Sequence, residues 1–122
     1  MDDTFSYNLD SSEGFLRVTL RGVARHADVI TVLDAITEDG TFLHPRRLWD
    51  IRDCDLDLTY DELTDLGEGA KPRNIPDSRG AILASKDVTF GVSRIHSVFR
   101  ESENMSVMVF RDEDEAVSWL TS

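Results

Sequence analysis

The amino-acid sequence predicts an α/β protein: a mixed sheet led by an N-terminal antiparallel hairpin, with elements in the order β-β-α-β-α-β-α-β-α and helices packed on the sheet. The first observation behind this is a pair of alternating apolar–polar stretches on either side of the short turn "SSEG". That is the pattern of a half-buried hairpin. The second is a set of later stretches, short and apolar on both faces, as strands covered by helices are. The third is the set of helix signals, apolar spacing or start and stop residues, that follows each strand from the second onward. A hairpin followed by repeated βα units gives a sheet whose centre is largely parallel.

Taken in order, "TFSYNLD" alternates Phe5, Tyr7 and Leu9 against polar neighbours, and "FLRVTLRG" alternates through Phe15 or Leu16, Val18 and Leu20. From Asp28 to Asp39, Val29, Val32, Leu33 and Ile36 recur on one helical face, and Gly40 is placed to end the helix. "RRLWDIRD" carries Leu48, Trp49 and Ile51 and reads as a central strand. Thr59 then opens a helix through about Gly69, stopped by Gly67, Gly69 and Pro72. "RGAILAS", Arg79 to Ser85, is the next buried strand, and Val88, Val92, Ile95 and Phe99 mark a helix from Asp87 to about Glu101. "MSVMVF", Met105 to Phe110, is the last strand. "DEDEAVSWL" is the last helix, with Asp112 and Glu115 spaced as a capping box and Trp119 and Leu120 facing inward.

A chain of 122 residues with no repeat or linker is expected to form one domain, 1–122. The single cysteine, Cys54, has no partner for an internal disulfide, which fits a reducing compartment. The start "MDDTFSYNLD" lacks the basic and apolar regions of a signal peptide, and no apolar run approaches the ~20 residues of a membrane helix. The expected location is the cytoplasm. Acidic residues outnumber basic ones 24 to 13, a net charge of −11, which repels phosphate backbones and anionic membranes. Lys71, Arg73 and Arg79 are too sparse to reverse that, so neither nucleic acid nor membrane is an expected partner.

The densest stretch is "WDIRDCDLDLTYDEL". Asp53, Asp55 and Asp57 match the opening of an EF-hand loop, but its glycine and glutamate positions hold Leu58 and Thr64, so no calcium site is expected. Thr59 and Glu62 instead read as a capping box at a helix start. Cys54 lies between two aspartates, which disfavours a reactive thiolate. His26, His44 and His96 show no metal spacing, "GEGAKPR" is not a phosphate-binding loop, and there is no nucleophile elbow. A general acid or base would have to come from Asp50 and Asp53. No catalytic residue, metal or cofactor is expected. In open α/β sheets, binding sites lie beyond the carboxyl ends of the parallel strands. Those ends carry Asp53, Asp55 and Asp57, then Ser85, Lys86 and Asp87, then Arg111, and together they form the candidate binding surface.

The segments "LWDIRD", "ILASKDVTFGVSRIHSVF" and "MVFRDEDEAVSWL" resemble the small bacterial STAS/SEC14-type proteins, and the whole order resembles the SpoIIAA-like STAS fold of anti-sigma-factor antagonists. The resemblance spans nearly the whole chain. It implies a non-enzymatic module that binds a regulatory partner or a small ligand. It also implies a phosphorylatable residue at the start of the helix after the central strand, within a D-S-S-G-like motif. Thr59 takes the acceptor's place here, while Leu58, Tyr60 and Asp61 stand where the motif's aspartate, second serine and glycine would be.

The leading expectation is therefore a STAS-like, non-catalytic binding or regulatory protein resembling an anti-sigma-factor antagonist, with a regulatory protein as partner. The alternative is a carrier of a small molecule or lipid, its pocket between sheet and helices near Trp49, Phe90 and Phe99. The hairpin leaves an edge strand on which a homodimer could form.

Overall fold

In the computed structural model the described residues are 4–38, 44–59, 61, 62, 65, 78–85 and 105–122. They form a five-stranded sheet in the order β1-β2-β3-β4-β5, with β1 Ser6–Asp10, β2 Leu16–Ala24, β3 Arg46–Leu56, β4 Ser78–Leu83 and β5 Met105–Phe110. β1 and β2 pair antiparallel, and every later neighbouring pair is parallel. Helix α1, His26–Glu38, follows β2, and helix α2, Glu113–Thr121, follows β5. The hairpin is as the alternation implied, and the parallel centre is as the element order implied. The two expected helices at Thr59–Gly69 and Asp87–Glu101 lie outside the described residues, except that Asp61, Glu62 and Asp65 are helical.

Strand boundaries differ from the sequence expectation in one informative place. β3 runs to Leu56, past the Asp53 at which the apolar pattern pauses. Cys54 and Leu56 continue to pack inward while Asp53 and Asp55 face solvent, so the half-polar tail is still strand. Helix α1 begins two residues before Asp28, and the Asp28 carboxylate accepts a hydrogen bond from the Arg25 N–H at 2.9 Å. At the hairpin turn, the Asp10 carboxylate accepts from the Ser12 N–H at 3.0 Å, and Gly14 supplies a φ of 84°.

The sheet separates two apolar layers. On the α1 side, Leu16, Val18, Leu20 and Ala24 of β2 meet Val32 and Ile36 of the helix, with Ile51, Cys54 and Ile82 from the central strands. On the α2 side, Phe15, Leu48, Ala81 and Leu83 meet Ala116 and Leu120, with Phe110, Val117 and Trp119 at the margin. Phe15 and Leu16 therefore serve opposite faces, which resolves the ambiguity left by their adjacency.

Leu48 lies at the centre of the α2 layer on the middle strand and is fully buried. Truncation there leaves a cavity that the flanking strands cannot close. Leu48→Ala should cost about 2–5 kcal/mol, whereas Asp53→Ala, on an exposed side chain, should cost under about 0.5 kcal/mol. Urea denaturation of both variants beside the parent chain checks the contrast.

Candidate functional site

The pairing of β2 with β3 contains one irregularity. Thr19 faces Asp50 and Arg21 faces Asp53, so Ile51 and Arg52 together oppose Leu20. Such a bulge reverses which residues of the strand face which side. Ile51 and Cys54, three apart, both pack toward α1. Asp50 and Arg52, and beyond them Asp53 and Asp55, are turned to the α2 side.

Around the bulge a chain of ion pairs joins the hairpin turn, two strands and the last helix. Arg52 grips Asp50 with two bonds, Nε to Oδ1 at 3.0 Å and Nη2 to Oδ2 at 2.8 Å. The same Nη2 donates to Glu113 Oε1 at 3.0 Å. Arg17 reaches that oxygen through Nη1 at 3.3 Å and donates from Nε to Glu13 at 2.7 Å. Burial by itself would raise the Asp50 pKa, but the hydrogen bonds and charge of Arg52 outweigh it and hold the carboxyl below its ordinary value. The Arg52 guanidinium is correspondingly harder to deprotonate. The Asp50 carboxylate is thus committed to Arg52 through two hydrogen bonds.

Beyond the bulge the candidate surface begins. β4 pairs with β3 only from Arg46 to Asp50, so the last six residues of β3 outrun it and, among the described strands, pair with β2 alone. The Asp57 N–H still donates to the Ala24 carbonyl at 2.9 Å, and Arg25 Nε lies 3.5 Å from Asp57 Oδ2. Asp53, Asp55, Asp57 and Thr59 are all exposed along this projecting β2–β3 arm. Ser85 and Arg111 stand just past β4 and β5, roughly level with Arg52, and about 15 Å of strand rise separates that step from Asp57. Among the described members of the candidate surface, the aspartates lie along the arm and Ser85 and Arg111 on a lower step. Lys86 and Asp87 lie outside the described residues, as do Phe90 and Phe99 of the carrier reading; Trp49 is half-buried against the α1 layer.

At the tip of the arm Thr59 makes both bonds of a capping box. Its Oγ1 accepts from the Glu62 N–H at 3.1 Å, and Glu62 Oε1 accepts from the Thr59 N–H at 2.9 Å. A further bond joins His26 Nε2 to Asp65 Oδ2 at 2.8 Å, tying the start of α1 to the segment that follows Thr59. Cys54 is buried and its thiol is pushed up to about 11, chiefly by that burial and further by Asp55 and Asp28. It is inert at neutral pH. Among the described residues no cluster of three metal-ligating side chains occurs, and no helix is long and apolar enough to cross a membrane.

The ion-pair chain escaped the sequence reading because its partners are far apart along the chain: 96 residues separate Arg17 from Glu113, and 61 separate Arg52 from Glu113. The Thr59 box, closed within three residues, was plain.

A five-stranded sheet led by an antiparallel hairpin, with a parallel centre and helices on both faces, defines the SpoIIAA-like, or STAS, fold. Similar solved structures carry it across nearly the whole chain. One is an anti-sigma factor antagonist from Mycobacterium paratuberculosis, with a TM-score of 0.69 and 12% identity over 100% of this chain and 98% of that one. Another is an uncharacterized protein with a SpoIIAA-like fold from Shewanella loihica PV-4, with a TM-score of 0.62 and 18% identity over 95% of this chain and 93% of that one. No family model and no curated protein sequence matches. At these identities the likeness establishes the fold.

The Asp50–Arg52 grip makes a testable contribution to stability. Asp50 ionises more readily in the folded chain than in the unfolded one, so the unfolded chain binds more protons at acidic pH. The stabilisation is complete above the unfolded value of about 3.9 and is lost as pH falls through the lower folded value. Asp50→Asn should cost about 1–3 kcal/mol at pH 7, and the gap from the parent should close as the pH falls below about 3.9. Urea denaturation across a pH series reads it. A gap independent of pH would place the cost in packing.

Proposed function

We propose that this chain is a non-catalytic regulatory binding domain that acts in the cytoplasm by engaging a protein partner, in the manner of an anti-sigma-factor antagonist. The observation that carries the reading is the fold shared end to end with such an antagonist. The placement of Thr59 supports it. Thr59 lies exposed at the start of the segment after the central strand, at the tip of the projecting arm. In this reading the arm, with Asp53, Asp55, Asp57 and Thr59, is the recognition surface. Ser85 and Arg111 form its lower part, Lys86 and Asp87 are assigned to it from the sequence alone, and Thr59 is the residue whose phosphorylation controls engagement.

Substitutions at Thr59 separate its structural duty from a signalling one. Asparagine caps helices as well as threonine does but accepts no phosphate. Thr59→Ala should cost about 1 kcal/mol through the lost cap, while Thr59→Asn should stay within a few tenths of the parent. The parent chain and Thr59→Ser, isolated from the native host, should show a phosphate by intact mass; Thr59→Asn should not. A phosphate that persists on Thr59→Asn assigns the modification elsewhere.

Partner engagement is tested by native mass spectrometry of the gently purified protein. A stoichiometric regulatory protein is expected on the parent chain. It should be lost from a variant combining Asp53→Ala, Thr59→Asn and Lys86→Ala, with the melting temperature nearly unchanged. Retention of the partner by that folded variant removes the arm from the interface.

A further inference from the structure

β1 ends the sheet, so among the described residues its outer edge has no strand beside it. Proteins usually guard such an edge with charge, proline, a bulge or a covering element. From Thr4 to Leu9 the sequence TFSYNL has no charged residue and no proline, in a chain where 30% of residues are charged. Its pairing with β2 runs without interruption from Ser6 to Asp10. Tyr7 is 39% exposed, one of the most exposed large apolar side chains among the described residues, and its ring stacks on Phe5 with centroids 6.1 Å apart. Tyr7 and Leu9 pair with Leu20 and Val18, and this places Phe5, Tyr7 and Leu9 on the α1 side of the sheet.

This edge is complementary to itself. An antiparallel pairing of two copies about a two-fold axis through Tyr7 places Tyr7 against Tyr7, Phe5 against Leu9, Ser6 against Asn8 and Thr4 against Asp10. Aromatic meets aromatic and apolar meets apolar on the α1 side, while polar residues meet on the other. The one carboxylate of the strand, Asp10, faces a hydroxyl instead of its own copy. Cross-strand pairs of these kinds stabilise a sheet, and like charges directly opposite destabilise it. For a chain of net charge −11, self-association is confined to surfaces where its carboxylates do not meet. β1 meets that condition in this register.

We infer that β1 is a homodimerisation edge, and that two copies join antiparallel through it into one continuous ten-stranded sheet, twice the five strands of each chain. A single strand pair buries less than the roughly 1,200 Å² of a stable interface, so the dimer is a weak and concentration-dependent one. The edge is separate from the Thr59 arm, and the inference stands independently of the regulatory reading.

Sedimentation equilibrium of the full chain over a wide concentration range tests it. The parent chain should pass from monomer to dimer. Tyr7→Lys and Tyr7→Glu each place like charges on the axis and should weaken association at least about tenfold. An equimolar mixture of the two should associate again, because opposite charges then face each other across the axis. Three outcomes overturn the arrangement: a parent chain that is monomeric at every concentration, an undiminished dimer in Tyr7→Lys, or a mixture that stays monomeric.

Discussion

The rest of the structure depends on the extra residue in β3. Opposite Leu20 the strand supplies both Ile51 and Arg52, and the pleat changes phase there. Because strand side chains alternate, continuing the phase of Leu48 and Asp50 would send Cys54 and Leu56 to the polar side. Asp53 and Asp55 would then enter the apolar layer beneath α1, where an unpaired carboxylate is costly. The bulge allows one strand to serve both layers: Trp49, Ile51, Cys54 and Leu56 toward α1, Leu48 and then the charged residues toward α2. It also marks where β3 parts from β4 and continues with β2 as a two-stranded arm.

The same irregularity positions Arg52 to hold the last helix. α2 has nine residues and fully buries only Ala116 and Leu120, so apolar contact alone holds it weakly. Its first turn is acidic, Glu113 to Glu115, and Asp112 caps it by accepting from the Asp114 N–H at 2.9 Å. These charges suit the positive end of the helix dipole and also reach out to Arg17 and Arg52. At the other end Arg79 donates to the Trp119 and Ser122 carbonyls at 2.9 and 3.1 Å and lies 5.5 Å from the Trp119 ring centroid. A cation belongs at that end. An acidic chain with few cations thus places arginines at both termini of one helix. Exposed pairs taken singly contribute little, but a chain of pairs sharing the Glu113 and Arg52 atoms orients the helix on the sheet.

The parts legible from the sequence were those whose physics closes within a few residues. Alternation located β1 and β2, and the T-x-x-E spacing located the Thr59 box because both its bonds join Thr59 to Glu62. The phase change in β3 was not legible, since a bulge is defined by the register of a partner strand and not by its own residues. For that reason Asp53, Asp55 and Asp57 read as the end of the strand and its joint to a helix, when two of them continue the strand and the third still hydrogen-bonds along it through its N–H. The role of Arg52 was hidden similarly: an exposed arginine between Ile51 and Asp53 gives no sign of a glutamate 61 residues away.

The geometry at Thr59 bears on how the proposed recognition arm would respond to phosphorylation. The hydroxyl that would receive a phosphoryl group is the one accepting from the Glu62 N–H, and Glu62 returns its carboxylate to the Thr59 N–H. Phosphate at a helix start is favoured by the free N–H groups and the dipole. Here it would displace the existing acceptor from the Glu62 N–H while bringing two negative charges beside the Glu62, Asp57 and Asp61 carboxylates. The favourable and unfavourable contributions act on the same turn. Modification would therefore be read out as a rearranged helix start, with Glu62 driven off the Thr59 N–H, in addition to added surface charge. His26, at the start of α1, is hydrogen-bonded to Asp65 of the same segment. The capping box thus commits the Thr59 hydroxyl and the Glu62 carboxylate to the same turn.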